Sequence, residues 1–232
     1  QTITVVDTTP PEVFCPSDVV VSCGAPTDPG STGTATASDN CDTDPDVAYF
    51  DVVVPSSCLA DPVQETIERT WVATDACGNA TACLQTITVL RLDLELDIKP
   101  ESCPNAYNLR GRGVFPVSLL GTVDLDVTQI DPVTVRISRQ DCVGGAVAPL
   151  RWSLEDNATP YTGDPCGCHT LGGDGYVDLA LKFKHAEVTT VLELDSFAAG
   201  TEVPLVVSGT LMDGCEFIAT DCILITPNVQ EE

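Results

Sequence analysis

Apolar and polar residues alternate over short stretches of this 232-residue chain. Clusters of Gly, Pro, Asp and Asn separate these stretches, as in strands joined by turns. Examples of the predicted strands are Asp18–Ser22, Gly33–Ser38, Val47–Val54, Thr66–Thr74, Leu84–Leu90, Val133–Ile137, Val177–Phe183, Glu202–Leu211 and Cys222–Ile225. Helical patterns are nearly absent, and only Lys182–Leu194 is predicted to hold a helical turn. The pattern predicts an all-β protein built from antiparallel β-sandwiches.

One pentapeptide, Gln-Thr-Ile-Thr-Val, occurs at Gln1–Val5 and again at Gln85–Val89. Self-similarity of this kind is typical of repeat architectures. We interpret residues 1–6 as an orphan strand that ends a preceding repeat, and residues 7–90 as a complete domain. Residues 91–232 form the second domain. At the boundary, Leu residues alternate with Asp and Glu over 92–97, which predicts a strand and a stiff connection.

The cysteines indicate an oxidising compartment, because there are twelve of them. They divide evenly between the two predicted domains. The first domain holds Cys15, Cys23, Cys41, Cys58, Cys77 and Cys83, and the second holds Cys103, Cys142, Cys166, Cys168, Cys215 and Cys222. We therefore expect two separately disulfide-stapled domains in a secreted or cell-surface protein. The sequence has no signal peptide and no apolar run long enough to cross a bilayer, so we predict no membrane insertion.

The charge is strongly acidic, with Lys+Arg 10 against Asp+Glu 35 and a net charge of −25. Phosphate backbones and anionic membranes would be repelled, which argues against nucleic-acid and membrane-surface partners. Divalent cations, chiefly calcium, are the natural counterparts of so much carboxylate. Solubility alone is the alternative explanation of the total charge, but it does not explain why Asp clusters at predicted loop tips.

Several motifs follow in order over about residues 7–90 of the first domain: Asp7-Thr8-Thr9-Pro10-Pro11, Cys15-Pro16, Ala37-Ser38-Asp39-Asn40-Cys41, Ala73-Thr74-Asp75-Ala76-Cys77-Gly78-Asn79 and Cys83. In these motifs the first domain resembles the hyalin repeat (HYR), an immunoglobulin-like extracellular module. The resemblance implies a β-sandwich with a role in adhesion or surface architecture, and no catalysis. Spacing alone leaves the cysteine pairing open. Within the resemblance we predict Cys15–Cys83, Cys41–Cys77 and Cys23–Cys58.

In such a sandwich the entering chain and two inter-strand loops meet at one pole. The resemblance therefore implies that one set of polar residues converges there: Asp7, Asp39, Asn40, Asp75 and Asn79. Carboxylate and amide oxygens from three segments are what a calcium site needs. The alternative is that these residues only cap their own turns.

A second set of motifs follows in order: Leu94-Glu95-Leu96-Asp97-Ile98-Lys99-Pro100, Cys103-Pro104-Asn105, Gly113-Val114-Phe115-Pro116-Val117 and Asp174-Gly175-Tyr176-Val177-Asp178-Leu179. In these motifs the second domain resembles a β-rich domain that recurs in microbial secreted proteins, over about residues 92–227. Relatives carry an Asp-rich calcium loop that is largely replaced here, which leaves Asp156, Asp174 and Asp178 as a weaker candidate calcium site. The alternative is a disulfide-fastened hairpin. Thiolate and imidazole groups bind zinc, so Cys166-Gly167-Cys168-His169 could contribute to a zinc site. Disulfides are favoured over free thiolates outside the cell. We predict that Cys103 and Cys222 bond the Cys166/Cys168 pair, leaving Cys142–Cys215.

We expect no enzymatic activity. His169 and His185 are the only histidines, and no nucleophile elbow, zinc-protease helix or phosphate loop is present. The chain is only 5% aromatic, so carbohydrate binding by exposed aromatics has weak support. Trp71 is predicted to be buried, and Trp152 is a candidate exposed residue.

We predict a mechanical role, as a calcium-stiffened unit of a surface stalk, adhesin or fibre. The residues proposed for polymerisation are Gln1, Thr2, Ile3, Thr4, Val5 and Val6, which would add as a strand to the second domain of a neighbouring copy. Partners would be copies of the chain or neighbouring repeats. The competing interpretation is a fragment of a longer adhesin that binds surface glycans or proteins and whose first strand folds back on its own sheet.

Overall fold

The computed structural model describes residues 1–163 and 166–227. The chain forms two compact units: Gln1–Ser56 with Val63–Leu90, and Ser57–Pro62 with Arg91–Glu232. The segment Ser57–Pro62, inside the predicted first domain, thus groups with the second unit. Both units are built from β-sheets, which confirms the predicted all-β class.

The first unit contains two sheets. Its elements are β1 (Glu12–Phe14), β2 (Val19–Ser22), α1 (Pro29–Thr32), β3 (Thr36–Ser38), β4 (Asp46–Pro55), β5 (Val63–Thr74) and β6 (Ala80–Leu90). The larger sheet has the order β2-β6-β5-β4, with β2 and β6 parallel and the other pairs antiparallel. The smaller sheet is the antiparallel pair β1-β3.

The first unit has a small core that follows from the period-two alternation of β5 and β6. Ile67, Trp71 and Ile87 point inward and are 6%, 2% and 0% exposed. Arg69 lies on the same buried face at 2% exposure, and Asp51 of β4 accepts hydrogen bonds from its guanidinium with both carboxylate oxygens at 2.8 Å. A charged residue can occupy this core because its donors are paired.

The described residues of the second unit also form two sheets. Its elements are β7 (Leu92–Leu94), β8 (Leu96–Ile98), β9 (Ala106–Asn108), β10 (Val114–Leu119), β11 (Ile130–Arg139), β12 (Arg151–Glu155), β13 (Asp178–Lys184), α2 (His185–Val191), β14 (Glu202–Leu211) and β15 (Glu216–Thr226), with 3-10 turns at Val127–Gln129 and Leu194–Ser196. One sheet has the order β12-β13-β10-β8, and the other has β11-β14-β15-β7, with β9 also beside β15. One large apolar core lies within this unit and includes Phe115, Leu181 and Phe217.

The alternating segment at the predicted boundary is two strands rather than one. β7 pairs with β15, whereas β8 pairs with β10 of the other sheet. The chain changes sheet at Glu95, whose carbonyl accepts a hydrogen bond from the N–H of Leu120. The alternation of apolar and acidic residues continues across this change of sheet, because β7 and β8 both turn their apolar side chains toward the core.

The disulfides match the prediction in part. The structure contains Cys15–Cys83 in the first unit and Cys103–Cys168 and Cys166–Cys222 in the second, as predicted. The predicted bonds Cys23–Cys58 and Cys142–Cys215 are wrong, because Cys58 and Cys142 are joined to each other within the second unit. The loop that carries Cys58 belongs to that unit, which sequence position does not reveal.

The first six residues, Gln1–Val6, lie in no strand. The side chains of Ile3, Val5 and Val6 are 79%, 92% and 67% exposed. This segment leads to Asp7, whose backbone carbonyl accepts a hydrogen bond from the Asn79 amide at 3.2 Å. The exposed segment therefore joins the first unit at Asp7, which this hydrogen bond holds in place.

Candidate functional site

Three carboxylates converge at one end of the first unit. Asp7 precedes β1, Asp39 follows β3 and Asp75 follows β5. One carboxylate oxygen from each lies within 4.8 Å of the others. The ends of two strands and the entering chain therefore bring together residues that are 32 to 68 positions apart in sequence.

Asp75 is held by its own turn. It is 6% exposed, and its Oδ1 accepts hydrogen bonds from the backbone N–H of Cys77 at 2.9 Å and of Asn79 at 2.8 Å. Its Oδ2 accepts a bond from the Asn79 side-chain amide at 2.8 Å. Burial would raise the pKa of Asp75, but the hydrogen bonds from Asn79 and Cys77 outweigh it and lower the pKa. The carboxylate is therefore kept ionised.

Asp39 has one satisfied oxygen and one orphaned oxygen. Oδ2 accepts hydrogen bonds from the backbone N–H groups of Cys41 at 2.8 Å and Asp42 at 2.9 Å. Oδ1 is shielded from solvent and has no hydrogen-bond partner among the described residues. A buried carboxylate oxygen without a hydrogen-bond donor is costly. A cation shared with Asp7 and Asp75 would remove that cost.

The two asparagines of the predicted site behave differently. Asn79 donates its amide hydrogens to Asp75 and to the carbonyl of Asp7, so it positions two members of the carboxylate group. Asn40 is exposed. Asp42 was missed by the sequence analysis, although it stands in the same Asp-rich loop. Its Oδ2 accepts a hydrogen bond from the N–H of Ala76 at 2.8 Å, which joins the two loops.

The predicted bond Cys41–Cys77 is absent, because both residues are free and exposed thiols. The loops that carry them are joined by the Asp42–Ala76 hydrogen bond instead. The pKa of the Cys41 thiol is raised, first by the Asp7 carboxylate and then by burial and by Cys77. A protonated thiol offers no charge to a cation, so the three carboxylates are the candidate ligands of this group.

The weaker candidate site does not assemble in the described part of the chain. Asp178 is fully buried, and its oxygens accept hydrogen bonds from the backbone N–H of Gly121, Asn157 and Ala158 at 2.9 to 3.0 Å. Asp156 accepts from the N–H of Asp174 at 2.9 Å and of Gly175 at 3.0 Å. Asp174 accepts from Tyr176. Each of these carboxylates is occupied as an acceptor of backbone hydrogen bonds.

Both histidines are engaged with the backbone. Nε2 of His185 lies 2.8 Å from the carbonyl of Asn108, and burial lowers the pKa of this histidine. Nε2 of His169 lies 2.7 Å from the carbonyl of Thr159. Its neighbours Cys166 and Cys168 are bonded in disulfides, so they supply no thiolates for zinc.

The two tryptophans have the environments that the sequence predicts. Trp71 is 2% exposed and donates its indole N–H to Gln85 at 3.3 Å. Trp152 of β12 is 50% exposed. Among the described residues, no helix has the length and apolarity to cross a bilayer.

Comparison with known proteins gives structural neighbours only. No protein-family model matches the chain, and no curated protein matches it. Among solved structures, Drosophila N-cadherin EC1-4 aligns at 11% identity and TM-score 0.30, covering 94% of this chain and 50% of its own. A Bacteroides ovatus SGBP-B in complex with a mixed-linkage heptasaccharide aligns at 11% identity and TM-score 0.28, covering 94% and 48%. Mouse cadherin-23 EC22-24 aligns at 12% and TM-score 0.25, covering 95% and 65%. The chain spans about half the length of the first two.

Proposed function

We propose that this chain is an extracellular structural and adhesion protein, a calcium-stiffened unit of a surface stalk or head-to-tail fibre. The first unit would be an HYR-like module, as its motifs suggest. The observation that carries the proposal is the group of Asp7, Asp39 and Asp75, whose oxygens lie within 4.8 Å of one another. Disulfides in both units support an extracellular location.

Calcium is the cation that the donors favour. Carboxylate oxygens are hard ligands, and calcium accepts six to eight oxygens in flexible geometry, whereas zinc prefers nitrogen and sulfur. Three carboxylates leave coordination positions for backbone carbonyls or water. The orphaned Oδ1 of Asp39 is the atom that gains most from the ion.

Calcium would also fix the direction in which the first residues leave the unit. Asp7 directly follows the exposed segment Gln1–Val6, and Asn79 already holds the Asp7 carbonyl. An ion bound by Asp7, Asp39 and Asp75 would tie the entering chain to the ends of β3 and β5. The site would therefore stiffen the point from which a polymerising segment extends.

Isothermal calorimetry tests the cation site. We expect the wild-type chain to bind calcium, and Asp39→Asn to weaken binding strongly because it removes the charge beside Asp7 and Asp75. Asp44→Asn is the matched control, since Asp44 is an exposed acidic residue of the same loop region. Equal affinities in the wild type and Asp39→Asn would contradict the assignment of the site.

Strand donation from Gln1–Val6 would link copies head to tail. The segment repeats the sequence of a strand, lies in no strand itself and exposes Ile3 and Val5. Added strands satisfy backbone N–H and C=O groups and join subunits. A contact of this type that does not close gives a filament. Deleting residues 1–6 should leave a folded monomer, and assembly of the truncated chain would contradict donation.

The second candidate function is ligand or carbohydrate binding by part of a longer adhesin. The half-exposed Trp152 favours it, because aromatic side chains are common on binding surfaces. Glycan-array binding that Trp152→Ala removes would support this function. The proposal assigns no catalytic role, in keeping with two histidines whose ring nitrogens contact backbone carbonyls.

A further inference from the structure

One edge of the larger sheet in the first unit is open and apolar. β4 pairs with β5 and, within residues 1–163 and 166–227, with no other strand. It is ten residues long, and Phe50, Val52, Val53 and Val54 are each between 47% and 56% exposed. Soluble proteins usually protect such edges, because unpaired N–H and C=O groups recruit further strands.

The inner side of β4 is incompletely covered. Tyr49 and Val53 lie opposite Trp71 and Ile67 of β5, on the face that forms the core. The two β5 residues are 2% and 6% exposed, whereas Tyr49 and Val53 are 46% and 53% exposed. The opposing sheet consists of two strands of three residues each. A further strand beside β4 would bury apolar surface that the unit leaves in water.

The chain carries a segment with a sequence that this sheet already accepts. Gln1–Val5 repeats Gln85–Val89, and the second copy lies in β6, between β2 and β5 of the same sheet. There Ile87 is fully buried on the core face. The equivalent residue Ile3, and Val5 two positions later, are 79% and 92% exposed in the unpaired segment.

We propose that Gln1–Val6 of one copy adds to β4 of a second copy as a fifth strand of the larger sheet. This rests on the proposed strand donation and names its acceptor. Ile3 and Val5 face inward, as their counterparts do in β6, and cover Tyr49 and Val53. The segment contains no charged side chain, so it escapes the repulsion that a chain of net charge −25 imposes on most of its surface contacts.

The edge strands of the second unit fit this segment less well. The ten-residue edge strand β11 has an irregular register against β14 and already forms a bridge from Ile137 to Val147. β12 is five residues long and contains Arg151 and Glu155. The strand offers half the length of β4. Our proposal thus places the acceptor in the first unit, whereas the sequence analysis named the second domain.

Substitution of one inward residue on the edge tests the acceptor. Val53→Lys places a charge where the donor must pack, a means by which natural edges prevent pairing. Val133→Lys is the control, because Val133 lies on an edge strand of the second unit and is 74% exposed. In calcium, sedimentation velocity should show assemblies for the wild type and Val133→Lys, and monomers for Val53→Lys and for the chain lacking residues 1–6.

A peptide measurement tests the same contact without assembly. A fluorescent peptide with the sequence of residues 1–6 should bind the truncated chain, and Val53→Lys should weaken it at least about tenfold, or about 1.4 kcal/mol. A peptide with Ile3→Asp and Val5→Asp should not bind. The thermal unfolding of Val53→Lys must match that of the truncated parent, so that lost binding reports the edge.

The outcomes separate this inference from the function on which it rests. If Val53→Lys assembles like the wild type while the truncated chain does not, donation stands and β4 is the wrong acceptor. If the truncated chain also assembles, strand donation itself is wrong. If the peptide binds but the full chain stays monomeric at every concentration, the segment pairs with its own β4 and the contact between copies is refuted.

Discussion

Replacing Arg69 with methionine should strongly destabilise the first unit. The guanidinium is almost completely buried, and it donates to both carboxylate oxygens of Asp51, to the hydroxyl of Thr32 at 2.9 Å and to the carbonyl of Thr27 at 2.8 Å. It also lies over the ring of Tyr49, with its central carbon 4.7 Å from the ring centre. Methionine fills much of the volume but leaves all four acceptors without this donor.

The expected loss follows from the exposure of the two partners. Removing one member of a fully buried ion pair costs about 3–5 kcal/mol. The Asp51 side chain is 30% exposed against 2% for Arg69, so water partly compensates the freed carboxylate. The buried Thr32 hydroxyl and the Thr27 carbonyl lose a charged donor, a loss of about 1–3 kcal/mol each that does not simply add. We therefore expect a loss of about 3 kcal/mol.

Urea unfolding followed by tryptophan fluorescence measures this loss. In a Trp152→Phe background, Trp71 is the only tryptophan and reports on the first unit. Arg110→Met, at an exposed arginine, is the control and should change the free energy of unfolding by less than about 0.5 kcal/mol. A loss below about 1 kcal/mol for Arg69→Met would refute the reasoning, because it would equal that of a surface ion pair.

Three further predictions concern titration and the turns. Burial raises the pKa of Asp97 to about 6, so its folded pKa exceeds its unfolded value. Stability should therefore fall as pH rises from about 4 to about 6. Asp97→Asn should reduce the slope of stability against pH in urea unfolding over this range, and an unchanged slope would contradict the prediction. Asp178→Ala should cost the second unit about 2–4 kcal/mol in urea unfolding, because three backbone donors lose their acceptor, and calorimetry should show unchanged calcium affinity. Asp7→Asn should speed alkylation of Cys41 at constant pH, followed by mass spectrometry, because Asp7 is the largest cause of its raised pKa; an unchanged rate would contradict this.

The strands that sequence predicted best are those with strict alternation. In β5, alternate residues such as Ile67 and Trp71 are buried, as their spacing indicates. β10 was missed because Pro116 interrupts a continuous apolar run, and proline normally argues against an interior strand. β10 nevertheless pairs with β13 and β8 on its two sides. β12 was missed because it is short and has a charged residue, Arg151 or Glu155, at each end, which is a pattern typical of loops.

The candidate site could be named from sequence because its carboxylates stand at strand ends. Asp39 and Asp75 follow β3 and β5 directly. The resemblance to the hyalin repeat led us to expect both loops at one pole. What sequence could not give was the role of each atom: Asn79 acts through its amide hydrogens, and Asp42 bridges the loops. Nor could spacing identify the partner of Cys58, because pairing across 84 residues depends on which loops the fold brings together.

Negative-stain microscopy of the purified chain, first in calcium and then in excess chelator, tests the central claim most directly. The proposed function predicts filaments in calcium that disperse when the ion is removed, because the cation fixes the segment that links copies. Dispersed single particles in both conditions would contradict a calcium-stiffened, polymerising unit.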